Sequence, residues 1–214
     1  MFIRARTQEQ FNERRQEIIN ATQLLYREYS FREINFSKIS EKTKIARSTI
    51  YNYYLNKEEI FLDIIEKHFM NIKKGIDENL LSEKLERQEL VDRLTKILMD
   101  NYELLILISL YIEQIEYTCS QAKLNDFKAN IKGLNETLYN MARFQFPALT
   151  EKEIQFFIQA FYSALHGISP ACSPIKKQKI AMEKAGIYVE FDKKEFISFY
   201  INTILSCVYD TNKN

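Results

Sequence analysis

The run Arg47-Ser48-Thr49-Ile50-Tyr51-Asn52-Tyr53 carries hydrogen-bonding chemistry of one kind. On a helix that turns Ile50 and Tyr54 inward, Arg47, Ser48, Thr49, Tyr51, Asn52 and Tyr53 stay outside, with no acidic residue among them. Hydroxyls, an amide and a guanidinium on one short helix are the donors and acceptors that meet base edges in a major groove. The remaining reactive side chains suggest no second chemistry. His68 and His166 stand in neither His-x-x-x-His nor Glu-x-x-His spacing, so no metal-binding residue is expected. Gly-rich phosphate loops and a nucleophile elbow are lacking, so no catalytic residue, enzymatic activity or cofactor is expected. Cys119, Cys172 and Cys207 are odd in number and far apart, which suits a reducing compartment better than a disulfide framework or a Cys-x-x-Cys site.

The frame that must position these residues reads as all-α. Of 214 residues, 46% are hydrophobic, ample for a buried core, while only four are Gly and three Pro. Few tight turns favour helices with short connections over a strand-rich fold. Net charge is +1 overall, yet residues 1–57 hold eleven Lys/Arg against six Asp/Glu, leaving the rest net acidic. A basic front end is the electrostatic footprint of phosphate contact, and a bland solvated face is the alternative. The N-terminal MFIRARTQEQ lacks the apolar stretch of a signal peptide, and the apolar run Leu104 to Ile112 is too short to span a bilayer. A cytoplasmic protein with no membrane partner is therefore expected.

Three helices are expected in the front end. Ile18, Ala21, Leu25 and Tyr29 recur at three- and four-residue intervals, giving one apolar stripe on a helix from Gln8 to Tyr29. Asn35 is the N-cap expected for a short helix, Phe36 to Thr43, with Phe36 and Ile39 inward. After a turn at Lys44-Ile45 comes a helix from Arg47 to Tyr53, whose Ile45, Ile50 and Tyr54 face back to Ile39 and Leu25. This is a helix-turn-helix. Asn56-Lys57-Glu58-Glu59 reads as a capping box opening a long fourth helix, with the stripe Ile60, Phe61, Ile64, Ile65, His68, Phe69, Ile72.

The stretch Arg15 to Phe69 resembles the N-terminal domain of the tetracycline-repressor (TetR) family. The likeness is carried by Ile39-Ser40, by Thr49-Ile50-Tyr51 with Tyr54 three residues later, and by Lys57-Glu58-Glu59-Ile60. It implies that Ser37, Tyr51 and Lys57 contact phosphates and that Arg47, Ser48, Asn52 and Tyr53 face base edges, with Thr49 beside them. Arg47 suits guanine and Asn52 adenine. Arg4 and Arg6 are read as a disordered tail, with a minor-groove arm as the alternative. The chain departs from the family pattern at Lys44 and Ser30, where Gly is usual, and at Tyr54, where Phe is common. None of the three removes a DNA-contacting group.

Beyond residue 76 the chain shows successive helical patterns. Leu90, Val91, Leu94, Ile97 and Leu98 mark one helix, and Tyr102 to Tyr117 is apolar nearly all round through Leu110, as in a buried helix. Leu124, Phe127, Ile131, Leu134, Leu138 and Met141 form a narrow seam that Pro147 ends. Thr150-Glu-Lys-Glu153 and Asp192-Lys-Lys-Glu195 open two further helices. Their inward residues are Ile154, Phe157, Ile158, Phe161 and Leu165, then Ile197, Ile201, Ile204, Leu205 and Val208. Each also has a second apolar face, Phe156, Ala160, Ala164 and Phe196, Phe199, Tyr200, to be covered by a partner in a homodimer or by a broader core. In the resembled family the last long helices form the dimer bundle and the body encloses a small-molecule pocket. Tyr102, Leu105, Ser109, Ile112, Glu116, Phe127 and Tyr162 are the candidates to line it.

Together these readings predict a DNA-binding domain over 1–57, a linking helix over about 57–75 and a helical regulatory and dimerisation domain over 76–214, nine or ten helices in all. The expected function is a sequence-specific transcriptional regulator, a repressor of double-stranded operator DNA released by a small-molecule inducer. The alternative is a helical protein-interaction module with an auxiliary headpiece.

Overall fold

The computed structural model describes residues 7–211, with side chains through Ser206. Ten helices and no strand occur among the described residues, so the chain is all-α. They form two compact units: one takes residues up to Lys67 together with Glu113–Ala129, the other His68–Ile112 and the chain from Asn130 onward. Val208, Cys207, Arg4 and Arg6, named above, lie outside the described side chains.

In the first unit, α1 (Gln8–Glu28) is capped by Thr7, whose hydroxyl accepts from Gln10 N at 3.2 Å, and buries Ile18, Ile19, Ala21, Thr22 and Leu25. Tyr29 does not continue that stripe. It is the C-cap, extended at φ −127°, and this carries its ring off the buried face to 37% exposure, with the Lys38 ammonium 3.9 Å above it. Asn35 caps α2 (Phe36–Thr43) by accepting from both Ser37 N and Lys38 N, and Phe36 and Ile39 are buried as their spacing demands. The turn to α3 (Arg47–Ile50) passes through Lys44 at φ 61°, a left-handed conformation that costs an L side chain about 1 kcal/mol.

The third helix is shorter than its sequence pattern suggests. Regular α geometry stops at Ile50, after which Asn52 N donates to Thr49 O and Tyr53 N to Ile50 O at 3.0 and 2.9 Å. These i to i−3 bonds wind residues 51–53 into one tight turn. Ile45, Ile50 and Tyr54 are all buried, so the inward face is the expected one.

Helix α4 (Lys57–Asn79) gives its first half to this unit and its second to the other. Asn56 caps it, accepting from Glu59 N at 3.0 Å, but the reciprocal bond is displaced: the Glu59 carboxylate takes Leu55 N at 2.9 Å and the Ser120 hydroxyl at 2.8 Å. Ser120 joins α6 (Tyr102–Thr118) to α7 (Gln121–Gln145). A small aromatic core, Tyr26 and Phe31 against Phe61 at 5.4 and 4.7 Å, fills the space under α1 and α4.

The second unit holds α5 (Arg87–Asp100), α8 (Glu151–Cys172), α9 (Lys176–Lys184) and α10 (Lys193–Thr211) with the remaining parts of α4, α6 and α7. Helix α10 packs on α5 and α8, and Arg87 fastens α5 to it by donating to Asn202 Oδ1 at 2.9 Å and to its carbonyl at 3.0 Å. Thr150 and Glu153 form the reciprocal capping box that starts α8. Asp192 starts α10 by accepting from Glu195 N at 2.8 Å. Leu104, Leu105, Leu107 and Ile115 are buried, but α6 is not apolar-covered all round: Leu110 is exposed and Ile106 half-buried, because the helix lies at the margin of the core rather than through its middle. No separate element was expected at α9.

Candidate nucleic-acid interface

Ser37, Arg47, Ser48, Tyr51 and Asn52 are exposed on the first unit, and Thr49, Tyr53 and Lys57 are half-buried. The buried anchors Ile45, Ile50 and Tyr54 fix which side of the short helix faces out. The Arg47 guanidinium donates to Ser37 Oγ at 3.2 Å, so residues from α2 and α3 meet on one surface. The Tyr51 ring stands edge-on to Phe36 at 4.8 Å and is 59% exposed. Guanidinium and hydroxyl groups from α2 and α3 are thereby joined, with the exposed Asn52 amide on the turn that follows α3.

Two residues are engaged in ways that spacing did not suggest. Tyr53 stacks on Phe11 of α1 at 4.5 Å, so its ring is partly committed to packing. The Lys57 ammonium donates to the carbonyls of Phe31 and Arg32 at 2.6 and 3.4 Å and lies 4.6 Å over the Phe31 ring. Burial holds its pKa below the usual lysine range, with Glu58 opposing the shift. Lys44, named above only for its place in the turn, and Arg32 are exposed cations on the same unit.

Beneath this surface lies a polar cluster that sequence reasoning missed. The Asp63 carboxylate is 3% exposed and accepts from the Tyr54 hydroxyl at 2.5 Å, from Arg15 Nε and Nη2 at 3.0 and 2.8 Å, and from the Lys123 ammonium. Arg15 Nε also donates to the Tyr54 oxygen at 3.2 Å. One carboxylate thus ties α1, the end of the recognition turn and α7 to α4. A phenylalanine at position 54 would lack this bond, so the departure from the family's usual residue has a use. Nearby, Asn56 Nδ2 donates to Thr118 O at 3.1 Å. Burial, then the charges of Glu59 and Glu58, push the Cys119 thiol up to about 12, which keeps it protonated at neutral pH.

The candidate ligand-contacting residues divide between the two units. Tyr102, Leu105, Ser109, Ile112 and Tyr162 belong to the second unit, Glu116 and Phe127 to the first. Leu105 and Phe127 are buried, and Glu116 is paired with Lys128 at 2.6 Å. Tyr102 shares a hydrogen bond with Ser173 Oγ at 3.1 Å, and Tyr162 donates to Asn135 at 2.7 Å. A cleft of about 380 Å³ in the second unit lies elsewhere, lined by Asn71, Gly75, Arg93, Ile97 and Asn101 among others. His68 bonds Asn101 at 3.0 Å and faces Glu103 at 3.4 Å, while His166 meets Tyr162 O at 2.9 Å. Among the described residues no cluster of His, Cys, Asp and Glu could hold a metal ion.

Of the proposed dimer face, Phe156 and Phe199 are exposed, Ala160, Phe196 and Tyr200 half-buried. Ala164 is 1% exposed, packed inside its own chain, and offers no surface to a partner.

Three helices with a polar outward surface make the first unit a helix-turn-helix unit, and the described chain is all-α. The family model described as "Tetracyclin repressor-like, C-terminal domain" matches residues 64–192, more than half of the chain, and the protein belongs to the tetracycline-repressor family of transcriptional regulators. Members of this family are generally not enzymes. No curated protein matches the sequence significantly. Among solved structures, the fatty acid degradation regulator FadR from Bacillus halodurans is similar at a TM-score of 0.58 and 17% identity, over 89% of this chain and 94% of that one. At that identity the likeness extends to the fold. No described helix is long and apolar enough to cross a membrane.

Proposed function

We propose that this regulator is a cytoplasmic homodimeric repressor, without catalytic activity, that binds operator DNA through α2 and α3 and leaves it when a small molecule binds the body. The observation that carries the reading is the joined surface of Ser37 and Arg47, flanked by Ser48, Tyr51 and Asn52 and backed by buried Ile50 and Tyr54. On it, Arg47, Ser48 and Asn52 read base edges with Thr49 and Tyr53 beside them, while Ser37 and Tyr51 hold phosphates. Lys57 joins the phosphate contacts by exchanging its carbonyl partners at Phe31 and Arg32 for a stronger anion.

The division of labour follows residues 1–57 for DNA, about 57–75 for the linking helix and 76–214 for regulation and dimerisation. The exposed Phe156 and Phe199 supply the dimer face with Ala160, Phe196 and Tyr200. Twofold symmetry then demands an operator of two half-sites roughly 34 Å apart, or a multiple. The effector shifts this system only if it binds one headpiece spacing better than the other.

Selection of bound fragments from random genomic DNA tests the reading. An inverted repeat with that spacing, bound with strong salt dependence, is the expected product. Recovery of no duplex above background, or binding indifferent to salt, would assign the chain to the protein-interaction class instead.

A further inference from the structure

Residues 175–191 carry five large apolar side chains, Ile175, Ile180, Ile187, Val189 and Phe191, each between 42% and 64% exposed. They belong to α9 and the segment returning from it, and none of the nine residues of α9 is buried. A helix this short has little stability of its own in water, so packing must hold it. Its shape is nevertheless well specified. Ile187 N donates to Met182 O at 3.0 Å and Gly186 N to Glu183 O at 3.1 Å, with Gly186 at φ +70°, which is a Schellman ending. The Lys179 ammonium lies 4.7 Å over the Tyr188 ring and holds the returning segment against the helix. The result is an arm with a defined turn and its apolar side chains outward.

The arm is continuous with the apolar face of α10. Phe191 lies 5.0 Å from Phe196, and Phe196 6.3 Å from Tyr200, beside Phe199, which is 67% exposed; Phe156 on α8 is 62% exposed. At roughly 100 Å² for each exposed side chain of the arm and for Phe199, on the order of 600 Å² of apolar surface stands in solvent, at the top of what a monomer usually shows and approaching one partner's share of a standard interface.

We propose that residues 175–191 form a clasping arm whose occupant is a second copy of this chain: each arm packs on the partner's α8–α10 face and receives the partner's arm in return, as a twofold contact requires. The inference rests on the dimer reading above and adds the arm as the element that closes the interface. Because Ile180, Ile187 and Val189 are exposed in their own chain, charges there leave the single-chain fold intact and act on the assembly.

Sedimentation of the full chain tests it with the triple variant Ile180→Glu, Ile187→Glu, Val189→Glu and, separately, Phe199→Glu. The expected result is a wild-type dimer whose dissociation constant rises at least 100-fold in the triple variant, with unchanged helical circular dichroism. A triple variant that dimerises like wild type while Phe199→Glu does not would overturn the arm and leave the dimer standing. A wild-type chain that stays monomeric would overturn both. A photoreactive phenylalanine analogue in place of Ile187, in dimers mixed from isotopically light and heavy chains, gives an independent reading. Light-to-heavy adducts on α8 or α10 are expected; adducts confined to one chain contradict the proposal.

Discussion

Lys44 occupies a left-handed position at φ 61° where the family usually places glycine, and its side chain is exposed. The backbone there costs an L residue about 1 kcal/mol, partly offset by the extra freedom a glycine loses on folding. Lys44→Gly is therefore expected to stabilise the protein by about 0.5 kcal/mol in urea unfolding; a destabilised variant would show that the lysine side chain earns its place through a contact. Ionisation gives a second residue-scale test. Burial raises the pKa of Cys119 to about 12 from 9.0, and burial with the Asp63 charge raises that of Tyr54 above its ordinary 10.0. For groups raised in the folded state, the stabilisation is complete below the unfolded value and is lost as pH climbs through the folded one. Stability should then hold from neutral pH to about 9 and fall towards 12, with Tyr54→Phe and Cys119→Ser each flattening the fall. A flat profile over that range in both parent and variants would contradict the buried placement. Of these residues the motif disclosed Lys44 as a departure and Tyr54 as inward, because both are local features. The hydroxyl's partner Asp63 was invisible, since Lys123, Arg15 and Asp63 meet only through tertiary packing, Lys123 and Asp63 being 60 residues apart.

Helix starts were the most legible elements, because a cap is a bond between neighbours. Asn35, Asn56, Thr150 and Asp192 all accept at the helix starts their spacing indicates, though at Asn56 the reciprocal bond of the expected capping box is displaced. Thr150 participates in two reciprocal bonds at the start of α8, its hydroxyl accepting from Glu153 N and its backbone N–H donating to Glu153 Oε2 at 2.8 Å. Thr150→Ala should cost about 1 kcal/mol of stability, and Thr150→Ser much less. Equal loss in both would mean that the methyl group, not the hydroxyl, matters. Two elements escaped for physical reasons. Arg47 to Tyr53 has helical spacing throughout, but backbone bonding tightens after Ile50, and side-chain pattern does not report on i to i−3 bonds. Helix α9 has no buried stripe to reveal it. The exposure of Arg47, Ser48, Tyr51 and Asn52 was legible because buried anchors and polar residues alternate within a few positions; abundance of aromatics in the body does not say which of them share a space.

On the scale of the molecule, fold and family could be read from composition, helical period and one specific motif, whereas the packing of Glu113–Ala129 with the headpiece rests on contacts that no local pattern records. Helix α4 has residues in both units, and its Phe69 and Ile72 are buried in the second. In the account proposed here it transmits the effector's presence to the headpiece. Ile72→Ala should cost about 2–5 kcal/mol of stability and reduce the ratio of operator affinities measured without and with effector; an unchanged ratio in a folded variant would remove α4 from that role. The claim on which the rest depends is that the α2–α3 surface reads sequence. Titrating wild type and Arg47→Ala against the selected operator and a scrambled duplex of equal length and salt tests it most directly. The preference for operator should shrink by about 1–3 kcal/mol while scrambled binding falls far less. Equal loss on both duplexes, or none on either, would contradict it.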